Sequence, residues 1–207
     1  INQQALNVDL IVIACNTAST SALGAVRQIT TIPIVGVVPA IKPAAQLTQS
    51  KHIGLLATPA TISSPYTRTL IQEHTNNIAV SLYSSVELVT LAERLFFEQS
   101  LDTTKLHQEL DRLNIDQSID VLVLGCTHFP ILAEPISQYF NRKVQLLDSG
   151  AAIAKRVHYL ISQLNLTNNN IADTKKPLQY YATASVSSKL AVKPVSYTHL
   201  RAHETDS

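Results

Sequence analysis

Two cysteines are the residues of this chain whose type and spacing suggest joint chemistry, and the chain has no others. Cys15 stands in VDLIVIACNT (8–17) and Cys126 in IDVLVLGCTH (119–128). One stretch lies on the other at a constant separation of 111 positions, so that Asp9 meets Asp120, Val12 meets Val123 and Ala14 meets Gly125. The register continues past the thiols: IPIVGVVPAI (32–41) lies over KVQLLDSGAA (143–152) with no gap. A thiol has a free pKa of about 8.5, which a helix N-terminus or a nearby cation lowers. One thiolate and one thiol on opposite faces of a carbon make a base and an acid. The first removes a proton, the second delivers one to the other face, configuration inverts, and the roles exchange in the reverse direction. The developing carbanion charge needs hydroxyls and backbone N–H groups, which the turns after Cys15 and Cys126 supply.

Elements that position two such thiols can be read from the same stretches. Each cysteine follows a near-continuous run of β-branched and leucine residues, the pattern of a strand buried on both faces of a parallel sheet. A small residue before each thiol lets the backbone turn. A repeat of this size predicts two similar βα layers facing each other across a cleft, each bringing one thiol to it. Besides the two thiol-bearing strands (the first over 9–14), strands are expected over 32–37, 51–57, 78–83 and 144–147. Helices are expected over 19–30, 40–50, 65–75, 86–99, 103–113, 131–140 and 150–164. Ser64 and Asp102 read as N-caps, and TPATISS (58–64) reads as a turn. Residues 1–7 read as a helix end and 165–176 as an asparagine-rich loop. Alternating strands and helices predict parallel α/β sheets, whose ligands bind beyond the carboxyl ends of the strands, where both cysteines stand.

Composition bounds the partners. At 207 residues the chain holds one large or two small α/β domains, with 45% apolar and 15% charged residues. A net charge of +1 without a basic run points away from nucleic acid and membrane surfaces, and no apolar stretch is long enough to span a bilayer. Two cysteines are too few for a disulfide scaffold, so a reducing compartment, the cytoplasm, is expected. The chain begins at Ile1 and has no methionine, which reads as the absence of a native start. The stretch PVSYTHLRAHETDS reads as an adapter-derived tail, so 191–207 is set aside from the fold as non-native. His199 and His203 have metal-like spacing but lie in that tail. No lysine sits in either thiol motif, which counts against a pyridoxal phosphate Schiff base.

ACNTAS (14–19) and LGCTHFP (124–130) resemble the two signature motifs of the glutamate racemases, within the aspartate/glutamate racemase superfamily. GLLATPATISSPY (54–66), SSVELVTLAE (84–93) and LLDSGAAIAKR (146–156) extend the resemblance, which covers about 8–164 and is closest to the proteobacterial branch. It implies a cofactor-independent, metal-free amino-acid racemase supplying D-glutamate for peptidoglycan and cell-wall biogenesis. It also implies two pseudo-symmetric α/β domains with mainly parallel sheets facing across a central cleft. Residues 1–39 plus 148–190 would form the first domain and 40–147 the second. Cys15 and Cys126 match the catalytic acid/base cysteines. Asn16, Thr17, Thr127 and His128 match substrate-binding positions, Thr58 and Thr61 match hydroxyls near the substrate carboxylate, and Glu93 matches an auxiliary acid lining the site. Family members also carry an Asp-Ser-Gly motif after their first strand and a Tyr-Gly pair before the first cysteine. Neither is present here, which reads as a fragment with an incomplete first domain and doubtful activity. The partner implied is glutamate, and monomer and homodimer both stay open.

Each residue also has a plainer reading. A buried cysteine after a strand is by itself an inert small hydrophobe. His128 is then a turn histidine, Thr58 and Thr61 are helix caps, and Glu93 is a solvated charge. Two alternative functions stand beside the glutamate racemase: a two-cysteine racemase of the aspartate type, and a non-catalytic remnant that binds without turnover.

Overall fold

A computed structural model describes residues 8–164 of the chain. The chain divides into two units, Ile1–Leu160 and Ile161–Ser207. All the described strands belong to the first; of the second, only the end of the last helix falls among the described residues. Residues 1–7, the expected 165–176 loop, the 165–190 part of the first domain and the 191–207 tail with His199 and His203 lie outside the described residues.

Strands and helices alternate as the sequence predicts. β1 (Ile11–Ile13) leads to α1 (Asn16–Gln28), and β2 (Ile34–Gly36) to α2 (Ile41–Leu47). β3 (His52–Ala57) is followed by α3 (Pro59–Ser63) and α4 (Pro65–His74), and β4 (Ala79–Ser84) by α5 (Glu87–Glu98) and α6 (Thr103–Leu113). β5 (Val121–Gly125), a 3-10 turn (Phe129–Leu132), α7 (Ala133–Tyr139), β6 (Gln145–Leu147) and α8 (Gly150–Gln163) follow. β1 and β2 form one parallel sheet, and β4, β3, β5 and β6, in that order, form another, parallel throughout.

The four-stranded sheet is covered on both faces. Every residue of β5 is buried, and its side chains alternate between two cores. Leu122 and Leu124 join Leu56 beneath Leu88 and Leu91 of α5 and Leu106 and Leu110 of α6. Val121 and Val123 join Ile53 and Leu55 against Ile41 and Ala44 of α2. Each such side chain contributes about 1.5–3 kcal/mol through burial, which holds β5 as the centre of this sheet. At its entry, Asp120 accepts hydrogen bonds from Thr48 Oγ1 (2.6 Å), Gln49 N–H (2.7 Å) and Ser50 N–H (2.9 Å). Burial works to raise this carboxyl, but the hydrogen bonds prevail and hold its pKa at about 2. The turn before β3 is thereby tied to the start of β5.

Three local differences from the sequence reading have physical causes. β1 is not buried on both faces: Val12 is 42% exposed, because β1 pairs with β2 alone among the described residues. α1 begins at Asn16, three residues before the expected start at 19, because Cys15 itself is the N-cap. TPATISS is not an open turn but contains α3, with Thr58 as N-cap and Pro59 in its first turn, where proline's missing N–H costs nothing. Ser64 and Asp102 cap α4 and α6 as expected, accepting from Tyr66 N–H and Lys105 N–H. Val38 and Ser149, which the repeat pairs, meet where the chain passes between the sheets: the Ser149 hydroxyl donates to the Val38 carbonyl.

Candidate active site

The carboxyl ends of three strands are level. Ala57 of β3 pairs with Ser84 of β4 on one side and with Gly125 of β5 on the other. The next residues, Thr58, Ser85 and Cys126, therefore leave the sheet side by side. From β3 the chain builds first toward β4 and then returns to place β5 on the opposite side. The boundary between β3 and β5 is thus a topological switch point, where the loops diverge and leave a crevice. Gly125 is required at this boundary. A Cβ there would lie 3.1 Å from Ala57 Cβ and 3.3 Å from the Leu56 carbonyl oxygen. Its repeat partner Ala14 is exposed and has no such constraint.

Both thiols sit at the head of a helical turn. Cys15 has extended backbone (φ −155°, ψ 120°), and its sulfur accepts from Ala18 N–H at 3.5 Å, capping α1. The Cys126 sulfur stands at the head of the 3-10 turn, beside the N–H groups of His128 and Phe129; the Phe129 N–H donates to the Cys126 carbonyl at 3.1 Å. Cys15 is exposed and Cys126 buried. Burial, together with the charge of Cys15, pushes the Cys126 thiol above its ordinary pKa, while the two N–H groups pull it down. The two thiols therefore lie within electrostatic reach of each other.

Around Cys15, the expected residues fall into one cluster. Thr17 Oγ1 lies 2.8 Å from Thr58 Oγ1 and 3.0 Å from Thr61 Oγ1, and the latter two are 3.0 Å apart. The three hydroxyls join the first turn of α1 to α3, across residues distant in sequence. Thr58 also accepts from Thr61 N–H (3.3 Å), so its capping role coexists with the cluster. Asn16 is 3% exposed, and its Oδ1 has no hydrogen-bond partner among the described residues. A buried acceptor left in that state costs about 1–3 kcal/mol, a cost that an incoming donor would remove.

Around Cys126 the second cluster forms. His128 Nδ1 lies 3.7 Å from the Cys126 sulfur, and His128 Nε2 lies 3.4 Å from Glu93 Oε1 of α5. Thr127, between Cys126 and His128, is half-buried. Glu93 is exposed and stands at ion-pair distance from the histidine. The ring of His128 thus lies between Glu93 and Cys126, with Nε2 toward the carboxyl and Nδ1 toward the thiol. Ser85 is the residue of this end that sequence reasoning missed. It lies at the edge of a quoted stretch, but nothing in its neighbours marks it. Among the described residues no group of three His, Cys, Asp or Glu side chains is placed to hold a metal ion, and no helix is long and apolar enough to cross a membrane.

Comparison with known proteins follows the same lines. Residues 1–157 match the model of the Asp/Glu/Hydantoin racemase family. A glutamate racemase of Shewanella frigidimarina is 52% identical over 166 residues, covering 80% of this chain and 64% of the relative. The Escherichia coli glutamate racemase, solved in complex with L-glutamate and the activator UDP-MurNAc-Ala, superposes with a TM-score of 0.72 at 42% identity. That match covers 77% of this chain and 60% of the other. The Francisella tularensis glutamate racemase, solved in complex with D-glutamate, gives a TM-score of 0.63 at 31% identity, covering 79% of this chain and 60% of the other. The chain thus spans somewhat under two thirds of the length of these relatives.

Proposed function

Because the chain belongs to the Asp/Glu/Hydantoin racemase family, we propose that it carries the two acid/base thiols of a cofactor-independent glutamate racemase, with Cys15 and Cys126 serving opposite faces of the substrate Cα. One thiolate takes the Cα proton. The electron pair left on carbon is drawn into the adjacent carboxylate, and the other thiol delivers its proton to the opposite face. The enzyme ends each turnover with its thiolate and thiol exchanged, and the reverse direction uses them in reversed roles. The observation that carries this reading is that both thiols stand just past strand ends at the head of a helical turn and lie near enough for the charge of one to act on the other.

The surrounding residues fit distinct tasks in this reaction. The Thr17–Thr58–Thr61 hydroxyls receive the substrate carboxylate, and the unpartnered Asn16 Oδ1 accepts from its ammonium group. Thr127 adds a hydroxyl on the other side. His128, oriented by Glu93, takes the proton of Cys126 when that thiol must become the base. Relatives solved with L-glutamate and with D-glutamate support both enantiomers as ligands. The product would enter peptidoglycan synthesis in the cytoplasm. Residues 1–39 with 148–190 would form one domain and 40–147 the other. That division is supported by the separate β1–β2 sheet and by the Ser149–Val38 bond between repeat-related positions.

The test is α-proton exchange of L- and D-glutamate in D2O, on the chain and on a version extended to the length of its relatives. Exchange of both enantiomers in the extended protein is expected, and Cys15→Ser and Cys126→Ser should each lower racemisation by about 10²–10⁴-fold. Full racemisation in either variant would refute the two-thiol reading. Exchange of aspartate in preference to glutamate would shift the substrate to the smaller acid.

A further inference from the structure

Behind the Cys126 cluster lies a buried polar group that the proposed reaction does not use. Ser85 is 2% exposed and Glu109 9% exposed. The Ser85 hydroxyl donates to Glu109 Oε1 at 2.5 Å and accepts from Leu88 N–H at 3.0 Å, which ties it to the first turn of α5. Ser85 N–H donates to the Ala57 carbonyl at 3.2 Å, extending the β3–β4 ladder by one step. Glu109, on α6, is gripped on both oxygens by Arg112: Nε to Oε2 and Nη2 to Oε1, each at 2.7 Å. Arg112 Nη2 also reaches the Ser84 carbonyl at 3.3 Å. One carboxylate therefore joins the end of β4, the head of α5 and the body of α6.

We infer that Ser85, Glu109 and Arg112 form a positioning clamp that sets α5, and with it Glu93, against His128 and Cys126. Glu93 stands about one and a half helical turns beyond Leu88, the residue whose N–H the clamp holds. Through Leu88, Leu91 and Ala92, α5 packs on the same core as Cys126, Phe129 and Leu132. A helix pinned at its head by a charge-assisted network cannot slide along its axis, and a slide of about 1.5 Å, the rise of one residue, would carry Glu93 away from His128 Nε2. Without that carboxylate the Nδ1 acceptor facing Cys126 is no longer fixed, and the thiol loses the group that takes its proton. The groups facing Cys126 are His128 and Cys15, with Glu93 acting through His128; those facing Glu109 are Arg112 and Ser85. The three clamp residues touch no reacting atom and act only through α5. The inference rests on the racemase reading for its purpose, but its readout is the thiol itself.

The experiment measures iodoacetamide alkylation of each cysteine across pH 6–10 by peptide mass spectrometry, with Cys15 as the internal control. Ser85→Ala, Arg112→Gln and Glu93→Gln should each slow Cys126 alkylation near neutral pH by about 3–10-fold, since a tenfold change corresponds to one unit in thiol pKa. Cys15 should stay within about twofold of wild type. The sign separates positioning from mere support: loosening the fold would expose buried Cys126 and speed its alkylation. Arg112 is exposed, so Arg112→Gln keeps the test available where Ser85→Ala does not fold. Three results would each overturn the clamp: faster or unchanged Cys126 alkylation in the folded clamp variants, no effect of Glu93→Gln, or an equal fall at Cys15. Slowed Cys126 alkylation in a protein that fails to racemise glutamate would uphold the clamp and remove the racemase reading.

Discussion

The same substitution should have opposite effects at two glycines, and the difference is set by what a single methyl group would meet. At Gly125, an added Cβ lies 2.8 Å from Leu55 Cδ1, 3.1 Å from Ala57 Cβ and 3.3 Å from the Leu56 carbonyl oxygen. The leucine tip has rotamers, but it is fully buried, and the other two atoms belong to the adjacent strand. β5 must therefore move away from β3. Overpacking of this kind costs about 1–3 kcal/mol, and the lower chain entropy of alanine in the unfolded state returns about 0.4–1 kcal/mol. Gly125→Ala should thus destabilise by about 1–2 kcal/mol. At Gly24, in α1, an added Cβ meets nothing within 4 Å among the described residues. Gly24→Ala should stabilise by about 0.5–1 kcal/mol. Urea unfolding followed by circular dichroism measures both, with an unchanged slope showing that only stability has moved. In the protein extended to the length of its relatives, Gly125→Ala should also lower the proposed racemisation, because the shift falls between Thr58 and Cys126. A Gly125→Ala protein as stable and as active as wild type would refute the close approach of β3 and β5 on which the site geometry depends.

Two further outcomes follow from particular hydrogen bonds. Asp120 has a folded pKa of about 2 against an ordinary 3.8. A depressed carboxyl contributes stability above its unfolded pKa and loses it as pH falls from there through the folded value. Asp120→Asn should therefore cost about 1–2 kcal/mol at pH 7, after allowance for solvent screening, and only a small part of that near pH 2; a constant difference in urea midpoints across that range would contradict the role of its charge. Thr17→Val keeps shape and removes the hydroxyl that joins α1 to Thr58 and Thr61. It should reduce stability by only about 1 kcal/mol while raising the KM for glutamate of the extended protein by about tenfold or more, and an unchanged KM would separate this cluster from the proposed substrate carboxylate.

What the sequence made legible, and what it did not, divides by the range of the interaction that decides each feature. Ser64, Asp102 and Thr58 cap helices through bonds to N–H groups two or three residues away, and such contacts are written in local residue types. The buried alternation of Val121, Leu122, Val123 and Leu124 is equally local, because each residue's neighbours are dictated by the strand period. The repeat extended this legibility to the two thiols, since equal neighbours imply equal turns. It failed where equal sequence met unequal surroundings: Val12 and Val123 are repeat partners, yet among the described residues one lies in a two-stranded sheet and is exposed, and the other lies in a covered four-stranded sheet and is buried. Thr17 meets Thr58 across 41 residues and Ser85 meets Glu109 across 24. No periodicity encodes such pairs; they exist only once both helices have packed on the sheet. The threonines were reached beforehand through a resemblance in their flanking motifs. Ser85 and Glu109 had no motif of their own, and their buried carboxylate became visible only where a polar side chain inside an apolar core had to find partners. For that reason the thiols, which the sequence marks twice, bear on the identity of the reaction, whereas the clamp, which it does not mark, bears on how one thiol is held ready for it.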